Sequence, residues 1–166
     1  MSTLTMSIDG AWLRGLDACD EEYDMFCEEW PNGAEVSKAN LDKAAVLGMN
    51  IGWFARNILP KVVFDECNEK HYPFLKEFER NNNIACEQYS LRRSEYYAEF
   101  SARLIEYPSI FAISKFETVY NANIAALLVK HHDDIAPFKN EYTTKRNALF
   151  IACIVDYYAS KGKVLQ

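Results

Sequence analysis

The sequence is poor in the residues from which most recognisable catalytic motifs are built. Its 166 residues include only three histidines and six glycines. It contains no glycine-rich loop for phosphates, no dinucleotide fingerprint and no GxSxG motif. These absences argue against the common classes of nucleotide-binding proteins and against serine hydrolases of the GxSxG type.

Paired cysteines and long apolar runs are also missing. The five cysteines are an odd number without a CxxC pair, which indicates small apolar side chains in a reducing compartment. There is no leader peptide and no run of about 18 apolar residues that could span a membrane. We therefore expect a cytoplasmic protein that is neither secreted by a cleaved signal nor embedded in a bilayer.

Positive charge is in short supply too. The formal net charge is −6, and residues 1–30 hold eight acids against Arg14 alone. Arginines and tyrosines between residues 89 and 103 could contact phosphates and stack on bases, but glutamates share the segment and no basic stripe forms. The sequence thus argues against direct nucleic-acid binding.

Helical periodicity dominates what is present. The composition, with 49% hydrophobic and 25% charged residues, is typical of one globular domain. Apolar residues recur at helical spacing, and alternation with period two is nearly absent. We predict an all-α single domain over residues 1–166, a bundle of about seven or eight helices with three long C-terminal helices as its frame. The short helices of residues 17–60 should pack on the long-helix bundle of residues 61–166.

Caps and prolines set the predicted boundaries. Residues 1–10 should form a loosely attached arm, and Asp17 should cap the first helix. The run at 61–68 suits either a helix or a small two-stranded hairpin, because Val62, Val63 and Phe64 favour strands. Predicted helices include 17–29, 38–47, 51–59, 84–106 and 143–160, with Ser37, Asn50 and Ser109 as further caps and breaks at 72–73, 81–83, 107–108 and 136–137.

The segment 143–160 is the most apolar part of the chain. From Ala148 to Val155, apolar residues occupy every side of a helical wheel. A helix that is apolar all round is normally buried. The pattern predicts that this segment is the central helix of the bundle.

Residues 17–60 and the residue before them carry a recognisable order of apolar and turn-forming residues. The pattern comprises Leu16-Asp17-Ala18-Cys19, Phe26, Pro31-Asn32-Gly33-Ala34-Glu35-Val36, Asn40-Leu41, Ala44-Ala45, Gly48-Met49-Asn50-Ile51-Gly52-Trp53 and Ala55-Arg56. It resembles a short uncharacterised module of small bacteriophage and prophage proteins. The resemblance implies a mobile-element origin and an α-helical hairpin, and it brings no catalytic residues. Residues 61–166 resemble no family.

Acidic residues concentrate on the first predicted helix, where seven lie within residues 17–29. Such a face repels itself unless a partner or counterions neutralise it. An ordinary solvated face would show the same pattern, so both interpretations stay open. The residues predicted to contact a partner are Asp17, Asp20, Glu21, Asp24 and Glu28.

The run His131-His132-Asp133-Asp134 is the main candidate for metal or acid–base chemistry. On a helix only His131 and Asp134 share a face, whereas a zinc site needs three or four ligands. No HExxH or comparable context accompanies it. We therefore expect a helix end near these residues, and neither a metal nor a cofactor.

These observations lead to three hypotheses. The first is a non-enzymatic, phage-type interaction protein that binds and inhibits a basic host or defence protein, as an anti-CRISPR-like inhibitor does, in the cytoplasm of an infected or lysogenic bacterium. The second is a small enzyme with a dispersed site drawn from His71, Glu117, His131 and Asp134. The third is a self-associating structural protein, which would be a homo-oligomer.

Overall fold

The computed structural model describes residues 6–107 and 109–164, and of residues 162–164 the backbone only. Within these ranges 85% of the residues are helical, which confirms the all-α prediction. The described chain forms one small sheet and six helices. In chain order they are β1 (Ser7–Ile8), α1 (Gly10–Gly15), α2 (Asp20–Glu29), β2 (Ala34–Glu35), α3 (Lys38–Val46), α4 (Ile51–Ile58), α5 (Lys61–Glu106) and α6 (Ile110–Val164).

The predicted count of seven or eight helices and the frame of three long ones are wrong, because α5 and α6 run through the expected breaks. Pro73 and Pro137 lie inside these helices. A proline in a helix interior costs about 3 kcal/mol, so packing on either side of each proline must outweigh that cost. The run 81–83 also stays helical, since asparagine costs at most about 0.7 kcal/mol relative to alanine.

The start of the described chain is held in place and is not a loose arm. Ser7 and Ile8 pair antiparallel with Glu35 and Ala34, and Ile8 is buried. The Asp9 side chain then caps α1 by accepting a hydrogen bond from the Trp12 amide at 2.8 Å. The sequence patterns did not predict β1 or α1, because each is very short. The first five residues of the predicted arm lie outside the described ranges.

The short helices α3 and α4 begin where their caps predicted. The Ser37 hydroxyl accepts from the Asn40 amide at 3.3 Å, and the Asn50 side chain accepts from the Trp53 amide at 3.0 Å. Asp17, by contrast, does not cap α2. Its φ is 55°, in the left-handed region, and α2 begins three residues later with Cys19 at the N-cap position.

The alternative of a hairpin at residues 61–68 is wrong, because this run is the first part of α5. Cys67 is buried, and Val63 and Phe64 pack against the same core. These three side chains share one helix face by their spacing. Burial of that face overrides the local preference of Val62, Val63 and Phe64 for strands.

Internal contacts divide the chain into two compact units. The first unit comprises the described residues up to Pro73 and those from Thr143 onward, and the second unit comprises Phe74–Tyr142. Each unit contains part of both long helices. The expectation of one domain stays a prediction.

The first unit contains the hydrophobic core. Phe26, Leu41 and Ile51 bury their side chains here together with Phe150 and Ile154 of α6. The segment 143–160 is thus helical and central to this core, but it is not covered on every side. Ala148 and Ala152 are exposed, so its apolar wheel includes a solvent-facing alanine edge.

The second unit is an antiparallel helical hairpin held by aromatic contacts. Phe78 packs on Tyr142, Tyr89 on His131 and Phe100 on Tyr120, with ring centroids 4.7–5.0 Å apart. Successive contacts are eleven residues apart on both helices. Eleven residues span very nearly three full helical turns of 3.6 residues, slightly more than three, which keeps the rings on the facing sides of α5 and α6.

Candidate functional site

The five acids predicted to contact a partner lie on or just before α2, and all five are exposed. We call Asp17, Asp20, Glu21, Asp24 and Glu28 the acidic face. Helical spacing places the acids of α2 opposite Phe26, which is 4% exposed and belongs to the core. The buried side of α2 therefore fixes the position of the exposed carboxylates on its other side.

Local contacts hold α2 against the rest of the first unit. A Cβ atom at Gly10 would lie 3.0 Å from the Cys27 sulfur and 3.3 Å from the Tyr23 ring, so α1 and α2 approach closely at this glycine. Phe26 and Trp30 pack with ring centroids 5.3 Å apart. These contacts on the side away from the solvent fix the direction in which the acidic face points.

Three acids of residues 17–29 have partners inside the first unit. Asp20 accepts a hydrogen bond from Arg14 at 2.6 Å, Glu29 pairs with Lys43, and Glu22 accepts from the Asn50 amide at 3.1 Å. Asp17, Glu21, Asp24 and Glu28 make no ion pair or side-chain hydrogen bond within the described residues. Four carboxylates of the acidic face are thus available to a partner without breaking an internal contact.

Arg14 is the cation that pairs with a residue of the acidic face itself. Its guanidinium lies 3.8 Å from the centroid of the Tyr23 ring and pairs with Asp20. The hydrogen bond to Asp20, followed by the one to Tyr23, raises the pKa of Arg14 above its ordinary value. Arg14 therefore stays charged and neutralises one end of the acidic face, leaving the excess negative charge on the remaining acids.

An apolar cleft lies behind α2, and sequence reasoning did not anticipate it. Phe26 and Trp30 of α2 line it together with Leu41 of α3 and Trp53 of α4. Glu22 and Glu35 are the charged residues in its lining. Many residues of the phage-like pattern, including Ala34 and Met49, also line this cleft. The pattern therefore follows the interior of the module rather than the acidic face.

The histidine run lies within α6, and the helix end expected near it is absent. His131 packs on Tyr89 at 4.7 Å between ring centroids, whereas His132, Asp133 and Asp134 are exposed. His131 and Asp134 line one groove of the second unit, as their spacing predicted, but no hydrogen bond joins them. In the described part of the chain no group of three or more His, Cys, Asp or Glu residues could hold a metal ion.

The other residues of the enzyme hypothesis lie apart from this run in the chain. Glu117 is exposed on α6 of the second unit. His71 belongs to the first unit, where it is 8% exposed and contacts Phe150. Burial, followed by the positive charge of Arg146, lowers the pKa of His71. Within the described residues His131 makes no hydrogen bond to a carboxylate of the kind that orients a catalytic base.

The cysteines do not provide an activated nucleophile in the core. Burial, and then the neighbouring Cys153, raises the pKa of Cys67 to about 12. The thiolate is the reactive form, so Cys67 is inert at neutral pH. Its sulfur instead lies 3.9 Å from the Leu149 carbonyl oxygen, as a weak donor within the core.

Comparisons of the chain with protein-family models, with curated proteins and with solved structures find no match. In the described ranges, no helix combines the length and the apolar character needed to cross a membrane. The resemblance of residues 17–60 to a phage module stays a prediction.

Proposed function

We propose that this chain is a non-enzymatic interaction protein that binds a basic surface of another protein through the acidic face. The observation that carries the proposal is a set of four exposed carboxylates on or beside one anchored helix, those of Asp17, Glu21, Asp24 and Glu28. Within the described part of the chain none of the four has an ion-pair or side-chain hydrogen-bond partner. Phe26 and Trp30 hold that helix from behind. A rigid display of unpaired charge costs little ordering on binding.

The acidic face suits recognition by charge. Like charges on adjacent turns repel one another, and a basic partner relieves that repulsion on contact. Complementary charge also steers the two proteins together and raises the association rate at low salt. Asp20 is already paired with Arg14, so it contributes less to this attraction than its neighbours.

The proposal extends to the kind of partner. The phage-like pattern of residues 17–60 suggests a host setting, and in that setting the acidic face would suit a basic surface of a host defence protein. We therefore propose an anti-defence inhibitor, of which an anti-CRISPR-like protein is one form, acting in the bacterial cytoplasm. Covering a nucleic-acid channel with carboxylates would block binding without any catalytic step.

A charge-reversal experiment tests this function. The variant Glu21→Lys, Asp24→Lys, Glu28→Lys leaves the Arg14–Asp20 pair intact and should lose the basic partner captured from a bacterial host lysate by the wild type. Mass spectrometry identifies the partner. Surface plasmon resonance should show that the variant associates with this partner more slowly than the wild type does. Added salt should slow the association of the wild type in the same way.

A matched control separates a specific face from net charge. The variant Glu66→Lys, Glu69→Lys, Glu87→Lys changes the same number of exposed acids on α5 and shifts the net charge equally. It should bind the partner like the wild type. If both triple variants lose the partner equally, or if neither does, the acidic face is only a solvated surface.

A further inference from the structure

The apolar cleft behind α2 has room for a small ligand. One stripe of α2 borders it, because Ala18, Glu22, Phe26 and Trp30 follow one another at four-residue spacing. The volume open to the centre of a water-sized sphere is about 60 Å³. Since one water needs about 10–15 Å³ of such volume, the cleft can hold a group the size of roughly four to six water molecules.

The walls of the cleft are unsuited to water. Most of the lining residues are apolar, among them the buried Leu41 of α3 and Ile51 of α4. A buried water is held by about two to four polar partners, which these side chains do not supply. The cleft therefore favours an occupant with an apolar surface.

Polar side chains in the lining are already engaged within the first unit. The Asn40 side chain donates to the Glu35 carbonyl oxygen at 2.9 Å. The Asn50 side chain accepts from the Trp53 amide at 3.0 Å, and Glu22 accepts from the Asn50 amide at 3.1 Å. A ligand that needs several hydrogen bonds, such as a primary ammonium with its three donors, is poorly matched to this lining.

The charge of the lining favours a cation. Among the described residues that line the cleft, the charged ones are Glu22 and Glu35, and both are acids. Glu22 is half-buried, so solvent screens its charge less than that of an exposed acid. Trp30 and Trp53 also line the cleft. Aromatic ring faces attract cations, tryptophan most strongly, and aromatic sites for quaternary ammonium groups use this attraction.

We propose that this cleft binds a small quaternary ammonium compound of the size of choline. Its methylated head group combines a positive charge with an apolar surface and has no N–H donor. The head group therefore packs on the apolar wall and is attracted by Glu22, without the hydrogen bonds that the lining cannot supply. The cleft and the acidic face lie on opposite sides of α2, so this site and the proposed function are tested separately.

Nuclear magnetic resonance titration of the isotope-labelled full chain with choline chloride tests the site, with the ionic strength held constant by sodium chloride. The indole N–H signals of Trp30 and Trp53 should shift and saturate with a Kd of about 1 mM or tighter. The indole signal of Trp12, which lies outside the lining, should shift less.

Two analogues separate charge from methylation. The first is the uncharged analogue of choline in which carbon replaces the ammonium nitrogen, and the second is ethanolamine, which lacks the methyl groups. Each should bind at least about tenfold more weakly than choline, because the first lacks the attraction to the acids and rings and the second leaves its donors unpaired.

A matched pair of variants tests the role of Glu22. Glu22→Gln keeps an oxygen that can accept from the Asn50 amide but removes the charge, so choline should bind at least about fivefold more weakly. Glu66→Gln removes the same charge at an exposed site on α5 of the first unit and should bind choline like the wild type.

The absence of a saturable shift up to about 20 mM choline overturns the proposal. So does an analogue that binds as tightly as choline, or equal choline affinity of the two variants. A short peptide that contains trimethyllysine carries the same head group on a longer arm. Tighter binding of this peptide than of choline would assign the cleft to a methylated protein partner and overturn the small-molecule assignment.

Discussion

At the scale of single residues, His71 is a buried side chain whose ionisation is tied to folding. It contacts Phe150 with ring centroids 5.7 Å apart, and burial lowers its pKa below the usual value near 6.5. The folded protein therefore keeps His71 neutral at a pH where the unfolded chain binds a proton. The contribution of neutral His71 to stability is complete above the unfolded pKa of about 6.5. It is lost as the pH falls from there towards the lower pKa of the folded state.

This linkage gives a first prediction. The free energy of unfolding, measured by urea titration with tryptophan fluorescence, should decrease between pH 7.5 and pH 5.5, and His71→Gln should reduce that decrease. His132→Gln, at an exposed histidine, should keep the wild-type dependence on pH. Equal slopes for the wild type and His71→Gln would show that another group titrates on unfolding.

Single residues also show how far the sequence could predict the candidate site. The exposure of the acidic face was predictable, because its acids share one side of an amphipathic helix. The contacts of Glu29 with Lys43 and of Glu22 with Asn50 were not, since these partners lie 14 and 28 residues away. Sequence reasoning could therefore find the acids but not divide them into paired and unpaired ones.

At the scale of elements, two glycines with positive φ differ in what surrounds them. Gly33 has a φ of 82°, and a Cβ atom there would lie 2.7 Å from the carbonyl oxygen of Ile8 in β1. Gly48 has a φ of 90° and open space around it. The only role of Gly48 is to end α3. Gly33 has a second role, because the absence of a side chain there lets β1 approach the turn before β2.

The second prediction compares alanine substitutions at these glycines. Gly48→Ala should destabilise the protein by about 1–2 kcal/mol, the cost of a left-handed residue with a side chain. Gly33→Ala should cost at least about twice as much, because the strand β1 must also move. Urea unfolding measures both values. A cost at Gly33 no larger than that at Gly48 would mean that β1 yields freely.

Elements with local signals were predicted well, and those that depend on distant packing were not. Ser37, Asn50 and Gly48 act within one turn of the chain, so their roles can be read directly. The local sequence at Pro73 and Pro137 predicts a break in the helix. Packing of the helices against residues that are distant in the chain keeps both helices continuous. The eleven-residue spacing of Phe78, Tyr89 and Phe100, mirrored on α6, is present in the sequence, but only the contacts between the two helices show that it pairs them.

At the scale of the whole molecule, the core is unevenly distributed along α6. Phe150, Ile151 and Ile154 are at most 4% exposed, whereas the part of this helix in the second unit has no residue as well covered. Local stability follows buried apolar contacts, so one continuous helix should open at different rates along its length.

Hydrogen exchange gives the third prediction. In the wild type, amides around residues 147–154 should exchange slowest and those of residues 110–142 faster. Mass spectrometry of peptides from α6 resolves the two regions. Uniform protection along α6 would contradict the uneven core.

The first unit is assembled from two stretches that the ribosome makes at different times. The Tyr158 hydroxyl hydrogen-bonds to the Ile58 carbonyl oxygen at 3.2 Å, joining residues one hundred positions apart. At about 5–20 residues per second, synthesis of the intervening residues 74–142 takes roughly 3–14 seconds. During that delay Ile51 and Phe54 belong to a nascent chain in which Phe150 and Ile154 do not yet exist. The N-terminal part of the first unit therefore exposes apolar side chains that favour aggregation until the last part of α6 has been synthesised.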